Sequence, residues 1–481
     1  MTIPIVGSFI LLLLSNMIAT APLHPVPHAQ DVIPSQTSLF PVFGSDAGEF
    51  VGLSLINTSV ARNDVAVTWT DSEGTVARTG SLSLPSGSQR VALVREILDL
   101  PAELTEGWIR IDSSEAGLLS YMTTGRDGIV DATAPVSRSS TAIILPHIAV
   151  ATGFMELEHT DTLVSLVNPG SAAANGQIEL IGLDGLTVGK LTVSIPAHGS
   201  HTLRVSEAFR DVLPPNPVGG RTFHGYMKAI SDSGLAAWLQ IETPLTRRLL
   251  YGCSMDEIVP ERLVMVSHFA SGSPALYRSE LNLINAADAP VTLDMVAQDD
   301  RGTGIGQPAR RALKPGQAFR EDVLSLFGVV SVAVFPPPLL TGYIRIRASG
   351  GGTLQVIGDI NITSGSDTAA MLYPIGAPSY FSATLPFVIN DSAFYTGYAI
   401  ANPNELLTVQ TDITIELFDP EGHPVGPPRH VSLSPTARFV SLIEEKVRSG
   451  YLKINSNGPI AVLGSIGSWN SNVITPLPAL R

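Results

Sequence analysis

The stretch Gly107-Trp108-Ile109-Arg110-Ile111 decides the fold, because the chain repeats its pattern three more times. The pattern is a glycine, an aromatic residue, an apolar residue, a basic residue and a second apolar or small residue. The later copies read Gly225-Tyr226-Met227-Lys228-Ala229, Gly342-Tyr343-Ile344-Arg345-Ile346 and Gly450-Tyr451-Leu452-Lys453-Ile454. Their first glycines follow one another at intervals of 118, 117 and 108 residues. This regular spacing predicts four tandem copies of one structural unit.

The pattern separates two kinds of side chain, because successive side chains of a β-strand point to opposite faces. The two apolar residues share one face, which we expect to be core. The aromatic and basic residues share the other face, which we interpret as a possible ligand-binding face, since aromatic rings stack on sugars and cations hold acidic groups. This predicted face consists of Trp108, Arg110, Tyr226, Lys228, Tyr343, Arg345, Tyr451 and Lys453. In the alternative interpretation, each aromatic ring packs on its own sheet beneath the stem of the Arg or Lys.

Length and composition limit the class of protein. With 481 residues, the chain is long enough for three or four domains, and its hydrophobic fraction of 44% is typical of folded proteins. The net charge of −14 argues against a nucleic-acid partner, because phosphates require a cationic surface. Cys253 is the single cysteine, so an intramolecular disulfide and a multi-cysteine metal site are both excluded. We expect this thiol to be a buried small apolar residue.

The N-terminal region indicates export. Residues 3–21 are mostly apolar, and the first Arg or Lys of the chain is Arg62. We predict a signal peptide at residues 1–29, cleaved after Ala29; the alternative is an uncleaved membrane anchor. No later stretch is apolar enough to span a membrane, so we expect no membrane span after signal removal. The predicted location is extracellular or at the cell surface, with the periplasm as a further possibility.

Several further signals recur in each copy. A strand ends at an asparagine that we expect to hold the following turn by hydrogen bonds to the backbone, at Asn57, Asn168, Asn285 and Asn402. An alternating strand then leads to an Asp-containing hairpin turn, and a third strand ends at a proline or a polar turn. A helical pattern of one or two turns precedes the Gly-aromatic strand, and a polar turn and a last apolar strand follow it.

These signals predict an all-β fold of four tandem antiparallel β-sandwich repeats, each of about 110 residues and with one short helix. The predicted repeats occupy residues 38–135, 142–258, 262–378 and 382–481. We expect the repeats to follow one another like beads on a string. The alternative is a closed, propeller-like ring of the four repeats.

The arrangement resembles the tandem immunoglobulin-like and fibronectin-type β-sandwich repeats of bacterial secreted and cell-surface proteins. The shared features are the strand that ends at Asn, the Asp-Gly hairpin, the proline turn and the Gly-aromatic strand. The paired cysteines and the core Trp spacing of antibody domains are missing. The resemblance implies a spacer, adhesive or scaffold role, and it supplies no catalytic residue.

Metal sites receive little support from the sequence. His198 and His201 flank the proline turn of the second copy and His224 precedes its Gly-aromatic strand, but no carboxylate lies at ligand spacing. The acidic hairpin turns are compatible with calcium, although they lack the ligand ladder of a dedicated calcium loop. We therefore expect no cofactor and no metal, with calcium as the one possibility.

Three functions follow from these features. We expect an exported, non-catalytic repeat protein with a structural, scaffold or adhesive role, because repeat arrays present extended surfaces. The alternative is an array of carbohydrate-binding modules that uses the repeated aromatic and basic strand faces. A secreted hydrolase is the third possibility, although no nucleophile elbow or metalloprotease motif is present. The expected partner is a surface glycan or another extracellular protein.

Overall fold

The computed structural model describes residues 35–43, 49–100, 104–126, 129–151, 160–213, 222–255, 263–273, 276–329, 338–350, 356–365, 369–376, 380–405, 410–470 and 473–480. This part of the chain is nearly all β, in several antiparallel sheets, with three helices of a single turn. The predicted signal peptide lies outside the described residues. No helix of the described part has the length and apolar character needed to cross a membrane.

Each sheet is drawn from one of four consecutive chain segments. The first segment (36–133) contains β1 (Gln36–Val42), β2 (Phe50–Asn57), β3 (Asn63–Asp71), β4 (Val76–Leu84), β5 (Gln89–Leu93), α1 (Val94–Ile97), β6 (Gly107–Ser113), β7 (Leu118–Arg126) and β8 (Ile129–Thr133). The second segment (140–254) contains β9 (Ser140–Val150), β10 (Asp161–Val167), β11 (Ala174–Gly182), β12 (Thr187–Ile195), β13 (Ser200–Arg204), α2 (Val205–Ala208), β14 (Phe223–Glu242), β15 (Arg247–Tyr251) and β16 (Cys253–Ser254).

The remaining two segments contain the same kinds of element. The third segment (263–374) contains β17 (Leu263–Ser271), β18 (Arg278–Asn285), β19 (Val291–Gln298), β20 (Gly304–Leu313), β21 (Ala318–Asp322), α3 (Val323–Leu326), β22 (Leu340–Gly350), β23 (Val356–Thr363) and β24 (Ala370–Pro374). The fourth segment (380–478) contains β25 (Tyr380–Leu385), β26 (Phe394–Ala401), β27 (Thr411–Phe418), β28 (Arg429–Leu433), β29 (Arg438–Leu442), β30 (Tyr451–Ser468) and β31 (Ile474–Pro478).

The strands pair in the same order in every segment. The first segment forms the sheets β1-β6-β3-β4 and β5-β2-β7-β8, and the third forms β17-β22-β19-β20 and β21-β18-β23-β24. In the second segment one long strand, β14, takes the place of two: it pairs with β9 and β11 in one half and with β10 and β15 in the other. In the fourth segment β30 does the same with β25 and β27 and with β26 and β31, so each of these segments has one continuous sheet. The sequence pattern predicts a polar turn after each Gly-aromatic strand, at Ser231-Asp232-Ser233 in the second segment and at Asn455-Ser456-Asn457 in the fourth. This prediction is wrong for these two segments, because both stretches lie inside the long strands.

Alternation of buried side chains builds the core of each segment. Val65 and Val67 of β3 are fully buried, as their period-two spacing predicts, and they meet Leu53 and Leu55 of the other sheet in one hydrophobic cluster. Corresponding clusters fill the second, third and fourth segments. Each segment therefore buries apolar residues from both of its halves in one hydrophobic cluster.

The fourth segment departs from the predicted short helix. No helix follows β29 in the described residues, although Leu442, Ile443 and Val447 have helical spacing. The amide nitrogen of Asn390 instead donates to three successive carbonyls, at 2.8 Å to Ile443 and 3.2 Å to both Glu444 and Glu445. These bonds hold the carbonyls in an irregular turn, so the stretch has no need of a helical ladder.

The four segments contact one another in a closed cycle. The last strands touch in the order β8, β15, β24, β31 and back to β8. The first and fourth segments are also joined by side chains, since the Ser54 hydroxyl donates to the Pro386 carbonyl at 2.6 Å and that of Tyr121 to Pro476 at 2.7 Å. Contacts between the two ends of the chain are incompatible with the open string that we expected, which corrects that prediction.

Candidate functional site

The four aromatic residues of the predicted ligand-binding face are buried rather than exposed. The relative exposure of Trp108 is 2%, that of Tyr226 is 4%, and Tyr343 and Tyr451 have none. Each ring lies in a small apolar cluster with side chains of the next segment. The rings are therefore unavailable for stacking on a sugar, which corrects the expectation that they point outward.

Each buried aromatic side chain donates a hydrogen bond from its polar tip to the proline turn of the following segment. The donor and acceptor pairs are Trp108 Nε1 to His198 O at 2.8 Å, Tyr226 OH to Gly316 O at 2.7 Å, Tyr343 OH to Thr436 O, and Tyr451 OH to Gly87 O at 2.6 Å. The last pair returns from the fourth segment to the first. Burial raises the pKa of Tyr226, Tyr343 and Tyr451 to about 12, so these phenols stay protonated donors at ordinary pH.

The four acceptor residues share an unusual backbone geometry. Their φ angles are positive, at 73° for Gly87, 57° for His198, 72° for Gly316 and 59° for Thr436. His198 and Thr436 therefore occupy the left-handed region that favours glycine. This conformation is present in all four proline turns, and each turn presents its carbonyl to an aromatic residue of the neighbouring segment.

The Asp-containing hairpins supply the second part of the same interface. A backbone N–H just after each proline turn donates to the hairpin of the preceding segment: Ser200 N to Ser72 O at 3.0 Å, Ala318 N to Leu183 O at 2.9 Å, Arg438 N to Asp300 O at 3.0 Å and Gln89 N to Pro420 O at 2.7 Å. The hairpin glycines make this approach possible. A Cβ on Gly185 would lie 2.9 Å from the backbone of Gly316, and one on Gly302 would lie 2.6 Å from the Thr436 carbonyl oxygen.

The basic residues of the predicted face are half-buried and are held in different ways. Arg110 pairs with Asp112 at 2.7 Å and Arg345 with Glu405 at 2.6 Å. The Lys453 ammonium lies over the rings of Phe418 and Tyr451, at 4.9 and 5.5 Å from their centroids. Lys228 faces Glu179 across the strand pair β11–β14. The eight residues therefore do not form one surface, and ligand binding by the cations stays a prediction.

The shared role of the tyrosine hydroxyls leads to a direct prediction. We expect Tyr451→Phe to lower the free energy of unfolding by about 1–2 kcal/mol, because the Gly87 carbonyl loses a buried donor. Chemical denaturation of the purified protein measures this effect. Tyr277→Phe is a matched control, because its hydroxyl makes no hydrogen bond to a described residue and its loss should change stability by less than about 0.5 kcal/mol. Equal effects of the two substitutions would contradict the proposed interface.

The asparagines that end the first strand of each copy have the role that the sequence predicts. Asn168 is representative: its amide nitrogen donates to Ala172 O at 2.8 Å and to Pro196 O at 2.8 Å, and its amide oxygen accepts from Gly170 N at 3.0 Å. Asn57, Asn285 and Asn402 make corresponding bonds and are equally buried. These asparagines anchor the proline turns from inside, which confirms their interpretation as turn anchors.

A cavity of about 580 Å³ is lined by residues of all four segments. Strand ends from each segment reach it, including Ser38, Ser140, Met265 and Tyr380. Arg138 is its only charged lining residue among those that the structure describes, and no described Asp, Glu or His lines it. Cys253 lies in its wall half-buried, where the sequence predicted full burial. The described lining is therefore nearly neutral and carries no pair of carboxylates for hydrolysis.

A buried carboxyl group joins three segments. Asp131 of β8 accepts from its neighbour Ala132 N at 2.8 Å, from Leu249 N of β15 and from the Thr475 hydroxyl of β31 at 3.1 Å. Burial raises the pKa of Asp131 to about 8, against the lowering effect of these bonds and of the nearby Arg248. Asp131 is therefore protonated in the native state over a pH range in which an exposed aspartate is ionised.

The sign of this shift sets a pH dependence. Between about pH 4 and 8 the native state keeps the Asp131 proton and the unfolded state releases it, so the free energy of unfolding falls as pH rises. The Asp131→Asn variant lacks this proton. We therefore expect the wild type to lose about 1 kcal/mol of unfolding free energy relative to Asp131→Asn between pH 6 and pH 7. Chemical denaturation of both proteins across this range measures it. Parallel curves would show that Asp131 does not titrate there.

A second buried polar cluster lies between the second and third segments. His147 Nδ1 lies 2.7 Å from Asp359 Oδ1, and Arg320 reaches His147 Nε2 at 3.0 Å and His224 Nδ1 at 2.6 Å. A guanidinium only donates, so these two ring nitrogens are acceptors and their lone pairs are occupied. Burial, followed by Arg320, lowers the pKa of His224 to about 3, which keeps this imidazole neutral.

This occupancy bears on the metal ligands considered from the sequence. The Nδ1 atom of His224 is held by Arg320, whereas His198 is held through its backbone carbonyl and not through its ring. In the described part of the chain, no group of three or more His, Cys, Asp or Glu side chains lies close enough to hold a metal ion. The Asp carboxylates of the hairpins accept bonds from their own turns, as Asp299 does from Thr303 N at 2.8 Å. Calcium binding at these turns stays a prediction.

Comparison with known proteins adds no family. No protein-family model matches the chain, and no curated protein sequence does. One solved structure, described as an anti-sigma factor domain-containing protein, aligns with 69% of this chain and 81% of its own at 10% identity and a TM-score of 0.13. A likeness at this level carries no argument. The several antiparallel sheets are compatible with β-sandwich repeats, and no match supports kinship with immunoglobulin-like proteins.

Proposed function

We propose that the protein is an exported, non-catalytic scaffold or adhesive protein, built from four β-sandwich repeats that close into a propeller-like ring. The observation that carries this proposal is the repeated interface: in every copy the aromatic residue, the proline turn and the Asp-containing hairpin are used to bind the next copy. The contacts of the last strands with one another, in a cycle, support the closed form. A ring of this kind holds its surfaces in fixed relative positions, as a scaffold requires.

The distribution of charged groups supports a non-catalytic role. The buried ionisable residues Asp131, His147 and Arg438, and the half-buried Glu280, form hydrogen bonds across junctions between segments or next to them. The cavity shared by the four segments has one charged residue, Arg138, in its described lining. General acid–base catalysis needs titratable groups that face a substrate, and the described lining supplies none at neutral pH.

Two measurements on the purified mature chain test this proposal. Beads that carry the protein should be retained on a surface of cell-wall polysaccharide or extracellular protein, and beads that carry a denatured sample should not. In parallel, incubation with polysaccharide and peptide substrates should yield no new product. Catalytic turnover in these mixtures would overturn the non-catalytic role, and a radius of gyration typical of an extended string in small-angle scattering would overturn the ring.

A further inference from the structure

A surface groove with a volume of about 700 Å³ lies where the fourth segment meets the first. Its lining includes Phe381 of β25, Glu416 and Phe418 of β27, and Lys453 and Asn455 of β30, and Thr58 contributes from the first segment. The groove is within the size range of small-molecule sites. It exists only because the two ends of the chain meet there.

Phe381 is the most unusual residue of the groove. Its exposure is 59%, so a large apolar ring lies in water at the edge of a polar depression. The ring of Phe418 forms part of the wall and stacks on Tyr451, with the centroids 5.1 Å apart and the planes 9° from parallel. Tyr451 is fully buried and bonded to Gly87, so the wall ring rests on a fixed support. An exposed phenyl ring in this place can stack on the apolar face of a sugar.

The polar groups of the groove are available for a ligand. Lys453 and Glu416 lie opposite each other on neighbouring strands, and neither forms an ion pair with a residue that the structure describes. The Lys453 ammonium also lies over the Phe418 and Tyr451 rings, which fixes its position in the groove. The Asn455 amide oxygen accepts from the Ser382 hydroxyl at 2.9 Å, and its amide nitrogen has no partner among the described residues. A cation, a carboxylate and an amide donor therefore line one depression. The charges of Lys453 and Glu416 cancel, which favours an uncharged ligand rich in hydroxyl groups.

The aromatic residues of the groove are peculiar to the fourth segment. Phe418 faces the aromatic residue of the Gly-aromatic strand, and the positions that face it in the other segments hold Thr70, Ile181 and Gln298. Phe381 lies three residues before Thr384, which faces Lys453 on the neighbouring strand. The position three residues before the one that faces the corresponding basic residue holds Gln36 in the first segment and Thr141 in the second. Binding chemistry is expected where one copy departs from the scaffold that all copies share.

We propose that this groove is a single binding site for a neutral pyranose saccharide, with Phe381 as the stacking platform. Lys453 and Asn455 donate to ring hydroxyls, and Glu416 accepts from them. Carbohydrate binding thus belongs to one junction and not to a face repeated four times. The site does not depend on the scaffold role proposed above, since either can hold without the other.

Calorimetric titration of the full chain with a panel of trisaccharides tests the site. The panel contains maltotriose, cellotriose and chitotriose as neutral probes, and trigalacturonate as the acidic probe. We expect one or more neutral probes to bind, and trigalacturonate to bind less tightly because of Glu416 and the net charge of −14. Phe381→Ala should weaken the binding of the neutral probe at least about tenfold, and Lys453→Met should weaken it several-fold.

Lys228→Met is the matched control, since Lys228 holds the equivalent strand position in the second segment without an aromatic neighbour like Phe381. It should leave the affinity unchanged. The exposure of Phe381 means that its truncation should not affect folding, and a denaturation curve of each variant verifies this. Absence of binding to every neutral probe at millimolar concentration, or full affinity in Phe381→Ala, would overturn the proposal. Tighter binding of trigalacturonate than of any neutral probe would overturn the assignment to an uncharged ligand.

Discussion

Gly422→Ala is expected to lower the free energy of unfolding by about 3–4 kcal/mol and to open the junction between the fourth and first segments. Gly422 lies in the hairpin after β27 with a φ of 84°, and a Cβ there would lie 2.5 Å from the Gly87 carbonyl oxygen. The left-handed conformation costs about 1 kcal/mol for alanine. The backbones must also separate, which weakens the bonds from Tyr451 to Gly87 and from Gln89 to Pro420.

Two glycines of the third segment provide matched controls for the two causes. Gly328 has a φ of 64° and open space where the methyl group of an alanine would lie, so Gly328→Ala measures the backbone cost alone. Gly304 has no atom within 4 Å of that position and no positive φ, so Gly304→Ala should be close to neutral. Chemical denaturation gives the three stabilities, and small-angle scattering shows whether Gly422→Ala expands the molecule. A loss in Gly422→Ala no larger than in Gly328→Ala would refute the close approach of the two segments.

Arg438→Met is expected to lower the free energy of unfolding by about 3 kcal/mol. The Arg438 side chain is fully buried between the third and fourth segments, where it donates to the carbonyl of Gly342 and to Asp300 at 2.5 Å. Asp300 is 56% exposed, so water solvates its carboxylate once the arginine is removed. The cost comes instead from the buried Gly342 carbonyl, which loses its donor, and from the volume that the guanidinium filled.

The neighbouring His268 gives a second measurement of the same substitution. Burial, followed by Arg438, lowers the pKa of His268 to about 3. Removal of the guanidinium should raise this pKa, which titration by nuclear magnetic resonance detects. Arg310→Met is the control for stability, because Arg310 is 72% exposed and its pair with Asp294 should contribute less than about 1 kcal/mol. An unchanged His268 pKa would contradict the contact, whatever the effect on stability.

Local patterns predicted the core-facing residues of the strands and the anchors of the proline turns. Alternation placed Val65 and Val67 in the core, and the asparagine at the end of each first strand was correctly interpreted as a turn anchor. These successes have one physical cause. The face of a strand to which a side chain points, and the hydrogen bonds within a tight turn, are set by residues close by in the chain. The missing helix of the fourth segment shows the limit of this reasoning. The backbone carbonyls of that stretch accept hydrogen bonds from Asn390, which lies 53 residues before Ile443 in the chain.

The candidate site was less accessible to prediction. The pattern showed that Trp108 and Arg110 share a face, but period-two spacing does not say whether that face meets water or another sheet. Phe381 was not singled out, because its role depends on Phe418 and Lys453, which strand pairing brings to it from distant parts of the chain. A comparison of the copies, with attention to aromatic residues present in only one of them, is the signal that would have found it.

The Gly-aromatic-apolar-basic-apolar stretch shows how sequence and tertiary structure divide the information. By itself, the sequence determined that the chain is built from repeated β-strands, which apolar residues face the core and where the proline turns fall, because these features follow from local geometry. Only the tertiary structure decided that the aromatic half of the stretch binds the next segment and that Tyr451 returns to Gly87 in the first. That outcome depends on contacts between residues from 90 to 364 positions apart in the chain, which no local pattern encodes.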